Sequence, residues 1–126
     1  MPIVTLTVQR PKTAEFKAAV LAAIHEALVH AGVHPNDRFQ RVLELDAADF
    51  RFDSKFPDVR TERSSDFLLV EILLGAGRSV KVKRQIVERI AGNLSQRGFD
   101  PESLMICFLD VPWENWSPAG GRLPHA

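Results

Sequence analysis

Ile3-Val4-Thr5-Leu6-Thr7-Val8 alternates apolar side chains with threonine, the pattern of a half-buried strand. Residues 67–74, Phe-Leu-Leu-Val-Glu-Ile-Leu-Leu, are more continuously apolar and predict a central strand covered on both faces. Residues 39–45 and 104–111 read as two further strands. Between the members of each pair the period changes to 3.6. Phe16, Val20, Ile24, Ala27, Leu28 and Ala31 share one stripe, and Val82, Ile86, Ile90 and Leu94 share another, which predicts helices near 14–31 and 80–97. Thr13 and Ser79 stand where side-chain oxygens accept the orphan N–H groups of a helix start. Gly32 and Gly98 stand where a left-handed residue ends a helix, and Pro35 and Pro101 follow as stops.

The chain repeats itself. From Gly32 to Gly98 is a displacement of 66, and it carries Gly32-Val33-His34-Pro35 onto Gly98-Phe99-Asp100-Pro101 without a gap. The same displacement carries Thr13 to Ser79, Lys17 to Lys83, Ile24 to Ile90, Leu28 to Leu94 and Leu43 to Leu109. Each copy is strand, helix, strand: repeat 1 covers about 2–46 and repeat 2 about 67–112. The expected fold is α+β, with duplicated βαβ units forming a four-stranded mixed sheet and two helices on one face. A ferredoxin-like domain has the same order of elements, so the pattern leaves both topologies open. Residues 46–66 form a loop in which Phe50, Phe52 and Phe56 serve as a satellite core or line a pocket. The tail, 117–126, is rich in Gly and Pro and carries little regular helix. All 126 residues are expected to form one domain.

Composition narrows the partners. Lys+Arg and Asp+Glu are both 16, so no net positive field points to nucleic acid or an anionic membrane. Apolar runs fall far short of a membrane span, and the first residues lack the basic and apolar regions of a signal peptide. Cys107 is a single cysteine and fits a reducing, cytoplasmic location; within its apolar strand it is expected to be buried and inert. His25, His30 and His34 are read as surface histidines. His30 and His34 are four apart, but Gly32 lies between them, and no His-Glu-x-x-His motif exists. Gly75-Ala76-Gly77 is followed by no Gly-Lys-Ser/Thr, so it is not a phosphate loop. The expectation is no metal and no organic cofactor.

Pro2 carries the sharpest chemical signal. Removal of Met1 by cellular processing, favoured before a small residue, would leave a secondary amine at the head of an apolar strand. An α-amino group titrates near ~7.7–8.0 when unperturbed. Burial and neighbouring cations lower that value, and a nearby carboxylate raises it. A group poised near neutrality serves as general base when neutral and general acid when protonated. Trp113 and Trp116 bracket Glu114 and Asn115. Aromatic walls with a few polar groups suit a small pocket, with Trp116 as wall and Glu114 as an acid; the same rings also suit a sealed subunit interface.

Pro2 at the head of a strand, the duplicated βαβ, Asp37-Arg38-Phe39-Gln40, Gly77-Arg78-Ser79 and Glu114-Asn115-Trp116-Ser117 together resemble the tautomerase superfamily. The nearest group is the one containing malonate semialdehyde decarboxylase and its tautomerase-like relatives. The resemblance implies a homotrimer with a site at each amino-terminal proline. It implies small 2-oxo, enol or unsaturated carboxylates as substrates. Arg78 matches the family's carboxylate-binding arginine, and its place between a strand end and a helix start suits an anion. Asp37 matches the acid that orients the proline or activates water, although Pro35-Asn36-Asp37 is also ordinary turn chemistry. The decarboxylase pattern has a further arginine where this chain has Ala76, which weakens decarboxylation as the reaction. Keto–enol tautomerisation leads. Related hydratase, dehalogenase or decarboxylase chemistry, a catalytically silent trimer and a ferredoxin-like binding module are the alternatives.

Overall fold

Strand β1 (Pro2–Gln9) is followed by α1 (Ala14–His30), β2 (Gln40–Leu45), β3 (Leu68–Gly75), α2 (Val80–Gln96) and β4 (Leu104–Val111) in the computed structural model, which describes residues 1–125. The sheet order is β2-β1-β3-β4. β1 is parallel to β2, β3 is parallel to β4, and β1 and β3 meet antiparallel at the centre.

Alternation decides the faces. Val4, Leu6 and Val8 of β1 and Leu68, Val70, Ile72 and Leu74 of β3 turn beneath the helices, where they meet Ile24, Leu28, Ile86, Ile90 and Leu94. The helices lie side by side on that face. Asn93 Nδ2 donates to the Ala23 carbonyl at 3.1 Å, and Arg97 Nη2 reaches both Glu26 oxygens at 2.8 and 2.9 Å. Thr13 caps α1 by accepting the Phe16 N–H at 3.0 Å, and Ser79 caps α2 by accepting the Val82 N–H at 3.2 Å. Each cap contributes about 1 kcal/mol. Gly32 and Gly98 hold φ of 105° and 85°, values that strain a residue with a Cβ. There the chain folds back, so that the next N–H reaches Leu28 or Leu94 at 3.0 Å in both repeats.

The displacement of 66 seen in the sequence holds in three dimensions. It carries the register Val4↔Gln40 onto Val70↔Ile106, and the ion pair Lys17–Glu44 onto Lys83–Asp110. Thr5 lies opposite Glu71, its own counterpart, so a local twofold axis passes through that pair.

Several expectations need correction. β3 is covered on one face only: Glu71 is exposed, and Leu69 and Leu73 are half-buried. Cys107 is exposed, because Leu104, Ile106 and Phe108 are the β4 residues that turn toward the core. His25 is buried and its Nε2 lies 2.8 Å from the Pro35 carbonyl, so it is a core contact of α1. Phe50 and Phe52 do form a satellite cluster with Phe67, at centroid distances of 5.8 and 4.4 Å, but Phe56 is 73% exposed and takes no part. Among the described residues no helix is long and apolar enough to cross a membrane.

Candidate active site at the head of β1

The antiparallel centre of the sheet brings the start of β1 beside the end of β3, and the parallel outer strands add the start of β2 and the end of β4. Pro2 is buried there, paired with Leu74. The Met1 carbonyl accepts the Gly75 N–H at 3.3 Å, which holds the chain end on the sheet. The Met1 ammonium lies 3.2 Å from Asp37 Oδ2. The other oxygen, Asp37 Oδ1, is buried and has no hydrogen-bond partner. The Asp37 N–H donates to the His34 carbonyl at 2.9 Å, so a turn sets the carboxylate in place just before β2.

Arg78 arrives from the far side of Gly75. Its Nη1 donates to the Gly75 carbonyl at 3.1 Å, and among the described residues no carboxylate pairs with it. A half-buried guanidinium with unused planar donors is well suited to a carboxylate ligand. Met1, next to Pro2, is thus tied to Asp37 by its ammonium and to Gly75 by its carbonyl, and Gly75 in turn holds Arg78.

The aromatic residues divide differently from the sequence reading. Trp116 is 8% exposed and donates its indole N–H to the Val111 carbonyl at 3.3 Å, beside the Ala76 N–H that the same oxygen accepts at 2.9 Å. Trp113 lies flat against Gly75, where any Cβ would run into the ring, and it donates to the Ala76 carbonyl at 2.7 Å. The ring nearest the Gly75–Arg78 segment is therefore Trp113. A glycine at 75 is the signal for it, since only a residue without a side chain admits the ring. Glu114 sits exposed in the 3-10 turn Trp113–Asn115, and no hydrogen bond joins it to Met1, Asp37 or Arg78.

A family model described as tautomerase enzyme matches residues 37–119. No curated protein matches the chain significantly. Among solved structures, a malonate semialdehyde decarboxylase superposes with a TM-score of 0.87 at 24% identity, covering 96% of this chain and 93% of that one. A second, inhibited by 3-bromopropiolate, has a TM-score of 0.87 at 21% identity, over 96% and 92% of the two chains. A fused 4-OT described as a symmetric trimer has a TM-score of 0.75 at 24% identity, over 95% and 94%.

Proposed function

Because the chain belongs to the tautomerase family of enzymes, we propose that Pro2, freed by removal of Met1, is the proton carrier of a cofactor-independent keto–enol tautomerase acting on a small 2-oxo, enol or unsaturated carboxylate. The observation that carries this reading is the burial of Pro2 beside Leu74, next to the Gly75 carbonyl that holds Arg78, with Asp37 turned toward the chain end. Arg78 binds the substrate carboxylate. The neutral Pro2 amine takes the enol proton, and the resulting ammonium returns a proton to carbon. Asp37 orients the amine and stabilises the ammonium. Trp113 and Trp116 wall the strand ends, and Glu114 sits at the rim as a polar substrate contact. Turnover rises with pH as the amine loses its proton.

One observation favours a second reading. The unpartnered Asp37 Oδ1 leaves an acceptor free to hold and activate water, as a hydratase needs. Decarboxylation is the weaker variant, with Ala76 in place of the further arginine.

The assembly that fits is a homotrimer. The sheet face away from the helices carries two rows across its strands, Leu43-Thr7-Leu69-Met105 and Ile3-Leu73-Leu109, apolar except for Thr7. Leu43, Met105 and Leu109 are strongly exposed there, and packing against copies of the chain removes them from water. Cys107 lies on the same face, and a cytoplasmic location keeps it a thiol.

The test compares protein starting at Pro2, verified by intact mass, with protein carrying a short amino-terminal extension, assayed on phenylpyruvate enol. The extension turns the amine into an amide and should lower turnover by about 10²–10⁴-fold with trimer and fold intact. Full activity in the extended trimer would remove Pro2 from the mechanism and move the search to Asp37 and Glu114. Arg78→Ala should raise KM, and Arg78→Lys should recover only part, because the planar fork is lost.

A further inference from the structure

The twofold axis through Thr5 and Glu71 gives the Pro2 end a counterpart where β3 begins. A displacement of 66 places Leu68 in the position of Pro2 and Ser103 in that of Asp37, and the same displacement relates Lys12 to Arg78. The backbone repeats as well. The Ser103 N–H donates to the Asp100 carbonyl at 3.0 Å, as Asp37 does to His34 at 2.9 Å.

This second end holds a half-open cleft of about 350 Å³, bounded by the apolar side chains of Phe16, Leu68 and Phe99, the hydroxyl residues Ser64 and Ser103, and the charged Asp66, Arg97 and Asp100. Phe16 and Phe99 meet edge to face, with centroids 5.1 Å apart, and form a rigid wall. Lys12 stands beside that wall. Its ammonium is 5.6 Å from the centre of the Phe16 ring and 3.4 Å from Asp66 Oδ1, and its side chain is only 6% exposed.

A buried ammonium has three donors to satisfy. Here Asp66 and the Pro11 carbonyl meet them at 3.4 Å each, both long. Asp66 is 61% exposed and can turn into water, whereas Lys12 cannot follow it. The other charges are engaged. Arg97 is held on Glu26, and Asp100 accepts from the Thr61 hydroxyl at 2.9 Å and the Glu102 N–H at 3.0 Å. Arg97, the cation on the cleft lining, is thus taken, whereas Lys12 stands behind Asp66 with only long contacts, and Asp66 occupies the place a ligand carboxylate would take.

We infer that this end binds a small monocarboxylate with an apolar body, its carboxylate replacing Asp66 on Lys12 and its body lying among Phe16, Leu68 and Phe99. The site binds and does not react. The Leu68 nitrogen is an amide within the chain, and Ser103 offers a neutral hydroxyl where the first site has a carboxylate. The inference stands on this cleft and on Lys12, and does not need Pro2 to be catalytic.

The experiment is fluorine NMR titration of 4-fluorophenylacetate, which has no oxo group to tautomerise, into the full chain in its native assembly. Lys12→Gln should weaken binding by about tenfold or more. Ser64→Phe, which fills the cleft from its rim, should abolish the part of the bound signal that survives Arg78→Ala. Asp66→Asn should tighten binding, because the internal competitor is gone; a merely structural Lys12–Asp66 pair makes no such demand. Arg78→Ala should leave this signal in place. Absence of binding at millimolar ligand would overturn the proposal. So would a signal that survives Arg78→Ala and is insensitive to Ser64→Phe, one lost in Arg78→Ala, or weaker binding in Asp66→Asn. If Lys12→Gln does not fold, Ser64→Phe and Asp66→Asn decide. Failure of the Pro2 reading would show separately, as turnover that survives a blocked amine.

Discussion

The two ends of the central strand pair share a backbone and differ in how their polar groups are satisfied. At the Pro2 end Arg78 reaches only a carbonyl, and one Asp37 oxygen has no partner. At the Leu68 end the loop between the repeats lies across the strands. The Arg60 N–H donates to Glu102 at 2.7 Å, the Thr61 hydroxyl to Asp100 at 2.9 Å, and the Ser64 N–H to Ser103 at 3.2 Å. Lys12 has an internal carboxylate where Arg78 has none. The same strand–helix–strand scaffold thus gives one end where Arg78 has no carboxylate and Asp37 Oδ1 no partner, and one end where the loop meets most polar groups and leaves Lys12 two long contacts and the buried Arg63 Nε none. Buried groups left unsatisfied are costly, so they persist where something outside the chain completes them. The lesson is that the scaffold repeats and the chemistry does not.

The equivalence of the two halves can be broken most sharply in the core. Ile24 and Ile90 are counterparts, both fully buried. Ile24→Ala and Ile90→Ala should each lose about 2–5 kcal/mol in chemical denaturation at a fixed protein concentration, and by similar amounts. A large inequality would mean that the halves pack differently despite their shared register.

The strand ends should part company at a second pair, Gly75 and Gln9. Gly75→Ala drives a methyl group into Trp113 and should cost about 1–3 kcal/mol, with loss of turnover as the Arg78 segment shifts. Gln9→Ala removes one hydrogen bond to the Phe50 carbonyl, at 2.9 Å, and should cost about 0.5–1.5 kcal/mol with turnover retained. Equal kinetic effects would contradict the placement of the site.

The smallest difference lies in the paired acids Glu44 and Asp110. Lys17, at 2.5 Å, and then the Lys12 N–H, at 2.8 Å, hold the Glu44 carboxyl below its ordinary range. Asp110 has Lys83 at 2.7 Å. A lowered folded value means that the Glu44 contribution is full above the unfolded value of about 4.3 and is lost as pH falls through the folded one. Glu44→Gln should therefore flatten part of the drop in urea midpoint between neutral and acidic pH. An unchanged drop would show that this pair adds nothing to acid stability.

Much of this was legible before the fold. Alternation marked β1, the 3.6 period marked both helices, and the common displacement marked the repeat, because each depends on side-chain spacing that a stable register preserves. Pro2 could be named from its place at the head of an apolar strand, whereas Asp37 and Arg78 took their roles from the family resemblance of the motifs around them. Other features depend on facing. The run at 104–109 is apolar throughout, so nothing local says that Ile106 turns inward and Cys107 outward. His25 is buried because the chain after α1 folds back to offer it the Pro35 carbonyl, a contact outside the helical stripe. Trp113 and Trp116 differ only in which way a short turn aims them, and the Gly75 contact that separates them is long-range.

The pair on the twofold axis has a consequence of its own. Two identical chains joined across such an axis would set one residue against its own copy, and a glutamate there would face a glutamate, an arrangement that destabilises a strand pair. A single chain holding both halves lifts that restriction, since the two sides of the axis are separate codons. Here one side is Glu71 and the other is Thr5, whose hydroxyl accepts from Arg41 Nε at 2.8 Å. Fusion thereby turns a position that must complement itself into two that need only complement each other, and the molecule's departure from symmetry begins at its centre.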